Sequence, residues 1–166
     1  MSDSAPPLSA ESLAAIDREI AKYPAGRRAS AVMSALRIAQ KEQGWLRRET
    51  VAFVAEYLQI PAIRALEVAT FYNMYDMKPV GRRKLCVCTN LPCALRGAMK
   101  TKTALENTLG ISCGETTADG EWTLKEGECF GACADAPAII LNNETMHSQI
   151  TADRVPQFLA ELKAEK

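Results

Sequence analysis

The chain of 166 residues lacks several features that define common functional classes. Its 20 acidic and 20 basic side chains cancel, so no net charge attracts it to nucleic acid. No apolar run approaches the roughly 18 residues that span a bilayer. The absence of a C-x-x-C motif argues against thioredoxin-type dithiol chemistry. Without a G-x-G-x-x-G turn, we expect no dinucleotide site in the chain.

The N-terminal segment also lacks targeting features. It has neither the basic and apolar regions of a secretory signal nor the arginine-rich pattern of a transit peptide, and the first arginine is Arg18. We therefore expect a cytoplasmic bacterial protein. Cytosolic thiols stay reduced, and a chain of this length buries a core without cross-links. The six cysteines are therefore expected to bind metal rather than form structural disulfides.

Apolar residues recur at helical spacing through the first half of the chain. After a predicted disordered tail at residues 1–8, Ser9 is a suitable N-cap for a first helix. The pattern then predicts a bundle of about four short helices over residues 9–78. The segment Lys-Pro-Val-Gly at 78–81 breaks this pattern, so a second domain is expected over residues 79–166.

The second domain alternates strand and helix signals. The predicted order is a strand, a helix, two or three strands and a final helix, which describes an α/β sandwich. With the helical bundle in front, the fold class is α+β. The predicted strands are at 85–88, around 122–124 and at 138–141, and the predicted helices are at 93–109 and after Thr151.

Four cysteines form two closely spaced pairs in this second domain. Cys88 and Cys93 read C-x4-C, and Cys129 and Cys133 read C-x3-C. Cys88 ends the first predicted strand, Cys93 begins the following helix, and the second pair precedes a later strand. Because open α/β folds place ligands at strand ends, both pairs are expected at one edge of the sheet. Four thiolates suit a soft metal centre.

A [2Fe–2S] cluster needs two ligands on each iron, and two cysteine pairs supply them. Gly131, between the second pair, allows the loop to curl and aim amide N–H groups at sulfur. Cys86 and Cys113 fit no ligand spacing. Structural zinc also takes four cysteines, although two intervening residues are its commonest spacing within a pair. Cysteines that merely pack in the core are the third alternative.

The residues around these pairs resemble a known family. Segments 87–93 and 128–133 are similar to the two cluster motifs of the 24-kDa [2Fe–2S] subunit of NADH:quinone oxidoreductase, respiratory complex I. Segments 40–46, 69–72 and 79–82 of the helical half also resemble that family. The resemblance extends from about residue 9 to the end of the chain.

This resemblance implies a helical bundle followed by a thioredoxin-like [2Fe–2S] ferredoxin domain, with Cys88, Cys93, Cys129 and Cys133 as ligands. It implies a one-electron carrier whose cluster exchanges an electron with the FMN of a flavoprotein subunit. That partner would bind FMN and NADH, so this chain would hold neither and would have no catalytic residue of its own. It would lie in the peripheral arm, on the cytoplasmic side of the inner membrane.

Two alternatives keep different parts of this interpretation. The same module occurs in NAD-linked hydrogenases and formate dehydrogenases, which would change the host complex but retain the cluster. A zinc-stabilised binding module would retain the cysteine site but remove the redox role. Iron content separates the second alternative from the others.

Overall fold

The protein is described by a computed structural model that covers residues 7–164. The chain divides into two compact units, one ending at Pro79 and the other beginning at Val80. The first is helical and the second combines helices with a sheet, which confirms the predicted α+β class. Within the described residues, no helix is both long and apolar enough to cross a membrane.

Over residues 7–79, the helical unit contains four α-helices and a short 3-10 turn. Ser9 caps the first helix as predicted, because its Oγ accepts a hydrogen bond from the Ser12 N–H at 3.2 Å. Gly44 ends the second helix in a positive-φ conformation, at +80°. The elements are α1 Ala10–Ile20, the 3-10 turn Arg28–Ala31, α2 Val32–Gln43, α3 Arg48–Tyr57 and α4 Ala62–Phe71.

The core of this unit is apolar, with one buried amide at its side. Leu8 is 2% exposed and packs in that core with Ile16 and Leu36, so the prediction of a disordered tail is wrong at Leu8. Residues 1–6 of that predicted tail lie outside the described residues. The Gln40 side chain donates to the Met74 carbonyl at 2.9 Å and accepts from the Asp76 N–H at 2.7 Å, which fixes the segment after α4.

The second unit is built on a four-stranded sheet in the order β2-β1-β3-β4. β1 runs parallel to β2 and antiparallel to β3, and β3 and β4 are antiparallel. The strands are β1 Arg83–Cys88, β2 Trp122–Gly127, β3 Ile139–Leu141 and β4 Thr145–His147. The helices are α5 Leu91–Leu95, α6 Ala98–Leu109 and α7 Val155–Ala164.

The predicted continuous helix over 93–109 is wrong. The structure has two helices there, separated at Gly97, whose φ of +97° is left-handed and ends the helical path. Cys93 therefore lies in the short helix α5, which is separate from α6, the helix that packs on the sheet. Because of this break, the chain leaves the direction of α5 before α6 begins.

Alternate residues of the sheet form the core that holds the strand ends in place. Leu85 and Val87 of β1 are completely buried, as are Leu124 of β2 and Leu105 of α6. Parallel pairing aligns β1 and β2 so that their last residues, Cys88 and Gly127, are opposite each other. Both strands consequently end at the same edge of the sheet, where the cysteine loops begin.

Candidate iron–sulfur site

The first cysteine pair is built from a strand end and a short helix. Cys88 is the last residue of β1, and its N–H donates to the Ala138 carbonyl at 3.1 Å. Cys93 lies in α5, whose first turn contains Pro92. Proline is tolerated there because its missing N–H would have no partner within the helix. Both cysteines are 3% exposed and pack with Ala98, Ala136 and Ala138.

The second pair lies in the loop between β2 and β3 and is exposed. Gly131 adopts a φ of +75°, and its N–H donates to the Cys129 Sγ at 3.3 Å. This is the amide-to-sulfur contact expected from the glycine in this loop. Cys133 then begins a short 3-10 turn, and the following Ala136–Pro137 peptide bond is cis.

The thiols of each pair influence one another electrostatically. Burial is the main factor that raises the pKa of the Cys93 thiol, and Cys88 raises it further; the Ala138 N–H opposes the shift by stabilising the thiolate. The pKa of Cys133 is also raised, chiefly by its hydrogen bond with Cys129 and then by the charge of Cys129. Cys133 acts on Cys93, and Cys88 acts on Cys133, so the influence also extends between the pairs.

The thiols form two couples rather than a single cage. Across residues 7–164, no three cysteine, histidine, aspartate or glutamate side chains converge on a point that could hold one metal ion. A [2Fe–2S] cluster takes two protein ligands on each of its two irons, whereas one structural zinc ion takes four ligands around one point. Four thiols in two closely spaced pairs are a donor set that a [2Fe–2S] cluster takes.

A tightly packed glycine lies at the start of the second ligand loop. Gly127 is buried at the end of β2, and a Cβ added to it would lie 2.6 Å from the Cys86 Sγ and 2.8 Å from the Phe130 ring. Phe130 directly follows the ligand candidate Cys129. The absence of a side chain at Gly127 therefore allows the loop to settle against β1. In the sequence, nothing but the glycine's place before the Cys129 motif hints at this role, and it was not predicted.

Two contacts join the loops that carry the two pairs. The Thr89 N–H donates to the Gly127 carbonyl at 3.3 Å, and the Asn90 Nδ2 donates to the Glu128 Oε2 at 2.7 Å. A role for Asn90 was not predicted, although its position between Cys88 and Cys93 places it in the ligand loop. The two loops are therefore joined by one backbone and one side-chain hydrogen bond.

The remaining two cysteines are half-buried and fit no ligand spacing. Cys86 is half-buried, with its sulfur against Gly127. Cys113 packs against the core between the sheet, α6 and α7, and burial raises the pKa of its thiol to about 11. Lys102 opposes this rise in pKa, and the charge of Cys86 adds to it.

Comparisons with known proteins agree with the family resemblance found in the sequence. The model of the thioredoxin-like [2Fe-2S] ferredoxin family matches residues 16–163. A component of NADH-quinone oxidoreductase from Rickettsia conorii is 40% identical over 145 residues, which cover 87% of this chain and 86% of that protein. A second component of NADH-quinone oxidoreductase, from Thermus thermophilus, is 38% identical over 151 residues, 91% of this chain and 83% of that one.

A solved structure shares the fold at lower identity. The structure of an NAD+-reducing [NiFe]-hydrogenase in the H2-reduced state aligns with a TM-score of 0.69 and 20% identity. The alignment covers 83% of this chain but 23% of the hydrogenase chain. The chain thus spans about a quarter of that larger protein, and the likeness concerns the fold alone.

Proposed function

The chain belongs to the thioredoxin-like [2Fe–2S] ferredoxin family, and on that premise we propose how its residues carry electrons. It is an electron-carrier subunit of an oxidoreductase complex, of the kind represented by its relatives in NADH-quinone oxidoreductase. One [2Fe–2S] cluster is held by Cys88, Cys93, Cys129 and Cys133. The cluster exchanges single electrons with the FMN of a flavoprotein subunit, which also binds NADH.

The observation that carries this proposal is that each thiol pair begins at or just beyond one of the paired ends of β1 and β2. Cys88 and Cys93 supply two sulfur ligands, and Cys129 and Cys133 supply two more from the neighbouring loop. The Gly131 N–H already points at the Cys129 sulfur. When bound, the cluster accepts and releases one electron, and an N–H directed at sulfur stabilises the added negative charge.

The two cysteine pairs differ in their exposure to solvent. The buried pair anchors the site in the domain, while the exposed Cys129 and Cys133 place the other half at the surface. Electrons are therefore exchanged on the side of the second pair, because that side is open at the surface. The chain's own residues provide ligands, shielding and a fixed position, and the redox chemistry belongs to the cofactors.

The flavoprotein docks at this end of the domain, in the peripheral arm of the complex on the cytoplasmic side. Leu91 and Leu95 flank Cys93 and are 69% and 79% exposed. Exposed leucines beside a redox site suit the apolar centre of a subunit interface. The same module in a hydrogenase or formate dehydrogenase is the alternative host, and the solved hydrogenase structure supports it at the level of the fold.

Electron exchange with a separately prepared flavoprotein subunit tests the proposal. The chain is reduced with dithionite, freed from excess reductant and mixed with the oxidised flavoprotein, while flavin absorbance is followed by stopped flow. We expect the flavin band to bleach as the cluster band returns. A Cys129→Ser chain without an intact cluster serves as the control. Stable association of the two proteins without any flavin reduction would overturn the proposed exchange.

A further inference from the structure

The sheet ends at Cys88 of the first cysteine pair and before Cys129 of the second, so other contacts must align the two ligand loops. Cys88 and Gly127 form the last register pair of β1 and β2. One further backbone contact, from the Thr89 N–H to the Gly127 carbonyl, is long at 3.3 Å. Beyond it the two chain segments separate, one into α5 and the other into the loop with Cys129.

A side-chain hydrogen bond bridges the loops at this point of separation. The Asn90 Nδ2 donates to the Glu128 Oε2 at 2.7 Å, between residues 38 apart in sequence. Hydrogen bonds to a carboxylate are stronger than those between neutral groups. Asn90 lies two residues after Cys88, and Glu128 directly precedes Cys129. The bond therefore joins one ligand-bearing loop to the other.

The use of the Asn90 side chain is unusual for its position. Asn90 is the N-cap residue of α5, and its carbonyl accepts the first helical hydrogen bond, from the Ala94 N–H at 2.9 Å. Asparagine at an N-cap ordinarily uses its side-chain oxygen to accept from the first turn of the helix. Here no such bond forms, and the side chain binds Glu128 instead. The Asn90 side chain therefore does not stabilise α5 by capping it.

We propose that Asn90 and Glu128 form a clasp that positions the Cys88–Cys93 pair relative to the Cys129–Cys133 pair. Both are positioning residues, and the inference rests on the proposed function, since it assumes that these pairs hold the cluster. The clasp has a second consequence, because it keeps the Glu128 carboxylate beside Cys129. A fixed negative charge there opposes addition of an electron and makes the reduction potential more negative.

Two single substitutions separate the mechanical role from the electrostatic one. Asn90→Ala removes the clasp, and we expect iron release to a chelator to become about 3- to 10-fold faster, the range that the loss of one hydrogen bond supports. Glu128→Gln keeps an oxygen that accepts from Asn90 but removes the charge. We expect its iron release to stay within about twofold of wild type while its reduction potential becomes more positive.

The chain contains a matched control for these changes. In α7, the Gln157 Nε2 donates to the Glu161 Oε1 at 2.7 Å, the same chemistry and length within a single helix. Gln157→Ala should change neither iron release nor potential. An exchange of polarity provides a rescue test: Asn90→Asp alone places two carboxylates together, whereas Asn90→Asp with Glu128→Gln restores a donor and an acceptor. The double variant should recover most of the slow iron release.

The outcomes distinguish failure of the clasp from failure of the proposed function. Wild-type protein without iron would overturn the proposed function, whatever the results for the variants. Wild-type protein with a cluster, and Asn90→Ala with wild-type iron release and potential, would overturn the clasp alone. If Asn90→Ala does not fold, the exchange variants decide: equal iron release from Asn90→Asp and the double variant would also overturn it.

Discussion

The Gly131 N–H donates to the Cys129 Sγ at 3.3 Å, from a backbone with a φ of +75°. That conformation lies in the left-handed region, which glycine adopts without a steric cost. A Cβ at Gly131 would have no atom within 4 Å, so the residue is free of packing constraints. The glycine is therefore explained by the direction in which its N–H points.

Gly131→Ala should consequently affect the cluster more than the fold. Alanine in a left-handed conformation costs about 1–2 kcal/mol, which favours a shift of the loop and a weaker N–H···S contact. We expect a more negative reduction potential, measured by redox titration. Gly114→Ala is the control, because Gly114 has a φ of +94° and equally open surroundings. An equal change of potential in both variants would refute the role of the N–H.

Replacing one cysteine at a time tests the choice of ligands. Cys129→Ser should lose or distort the cluster, since a hard oxygen replaces a soft sulfur ligand. Cys113→Ser should leave the visible and EPR spectra unchanged, because Cys113 packs against the core of the second unit and fits no ligand spacing. Equal damage from both substitutions would contradict the assignment.

Gly127→Ala should disturb the second ligand loop through steric overlap. The added Cβ would lie 2.6 Å from the Cys86 Sγ and 2.8 Å from Phe130, so one of these side chains must move. We expect a loss of stability of about 1–3 kcal/mol, typical of overpacking, measured by chemical unfolding. Adding Cys86→Ala removes one of the overlapping atoms and should recover part of that loss. Strictly additive effects would show that the two residues do not interact.

The reactivity of Cys113 should depend strongly on pH. Only the thiolate reacts with alkylating reagents, and burial raises the pKa of Cys113 to about 11. Near pH 8 its thiolate fraction should be about 100-fold below that of a thiol whose pKa is two units lower. Alkylation followed site by site with mass spectrometry should be slow there and accelerate as the pH rises toward 11. A rate at pH 8 equal to that of the urea-unfolded chain would contradict this burial.

Helix and strand signals predicted most of the fold, because each depends on residues that are near in sequence. Ser9 and Gly44 mark helix ends by their own chemistry, and both do so in the structure. The same local reasoning failed at Gly97, because a glycine within a helical pattern is usually tolerated and its left-handed φ is not encoded in apolar spacing. The prediction of a disordered tail is wrong at Leu8 because its burial depends on core residues that are distant in sequence.

The site was predicted at the level of its cysteines but not of their surroundings. Spacing and strand-end positions singled out Cys88 and Cys129 because thiol pairs are rare and chemically distinctive. The parallel pairing that places Cys88 opposite Gly127 is a long-range relationship that periodicity does not reveal. Asn90 and Glu128 were likewise invisible, because amides and carboxylates are common and only the folded chain brings these two together.

The most direct test is the iron, zinc and acid-labile sulfide content of the chain purified under anaerobic conditions, combined with the EPR spectrum after dithionite reduction. The account predicts iron and sulfide in equal amounts at two of each per chain, negligible zinc, and the signal of a reduced [2Fe–2S] cluster. A colourless protein that contains zinc but neither iron nor sulfide would contradict it.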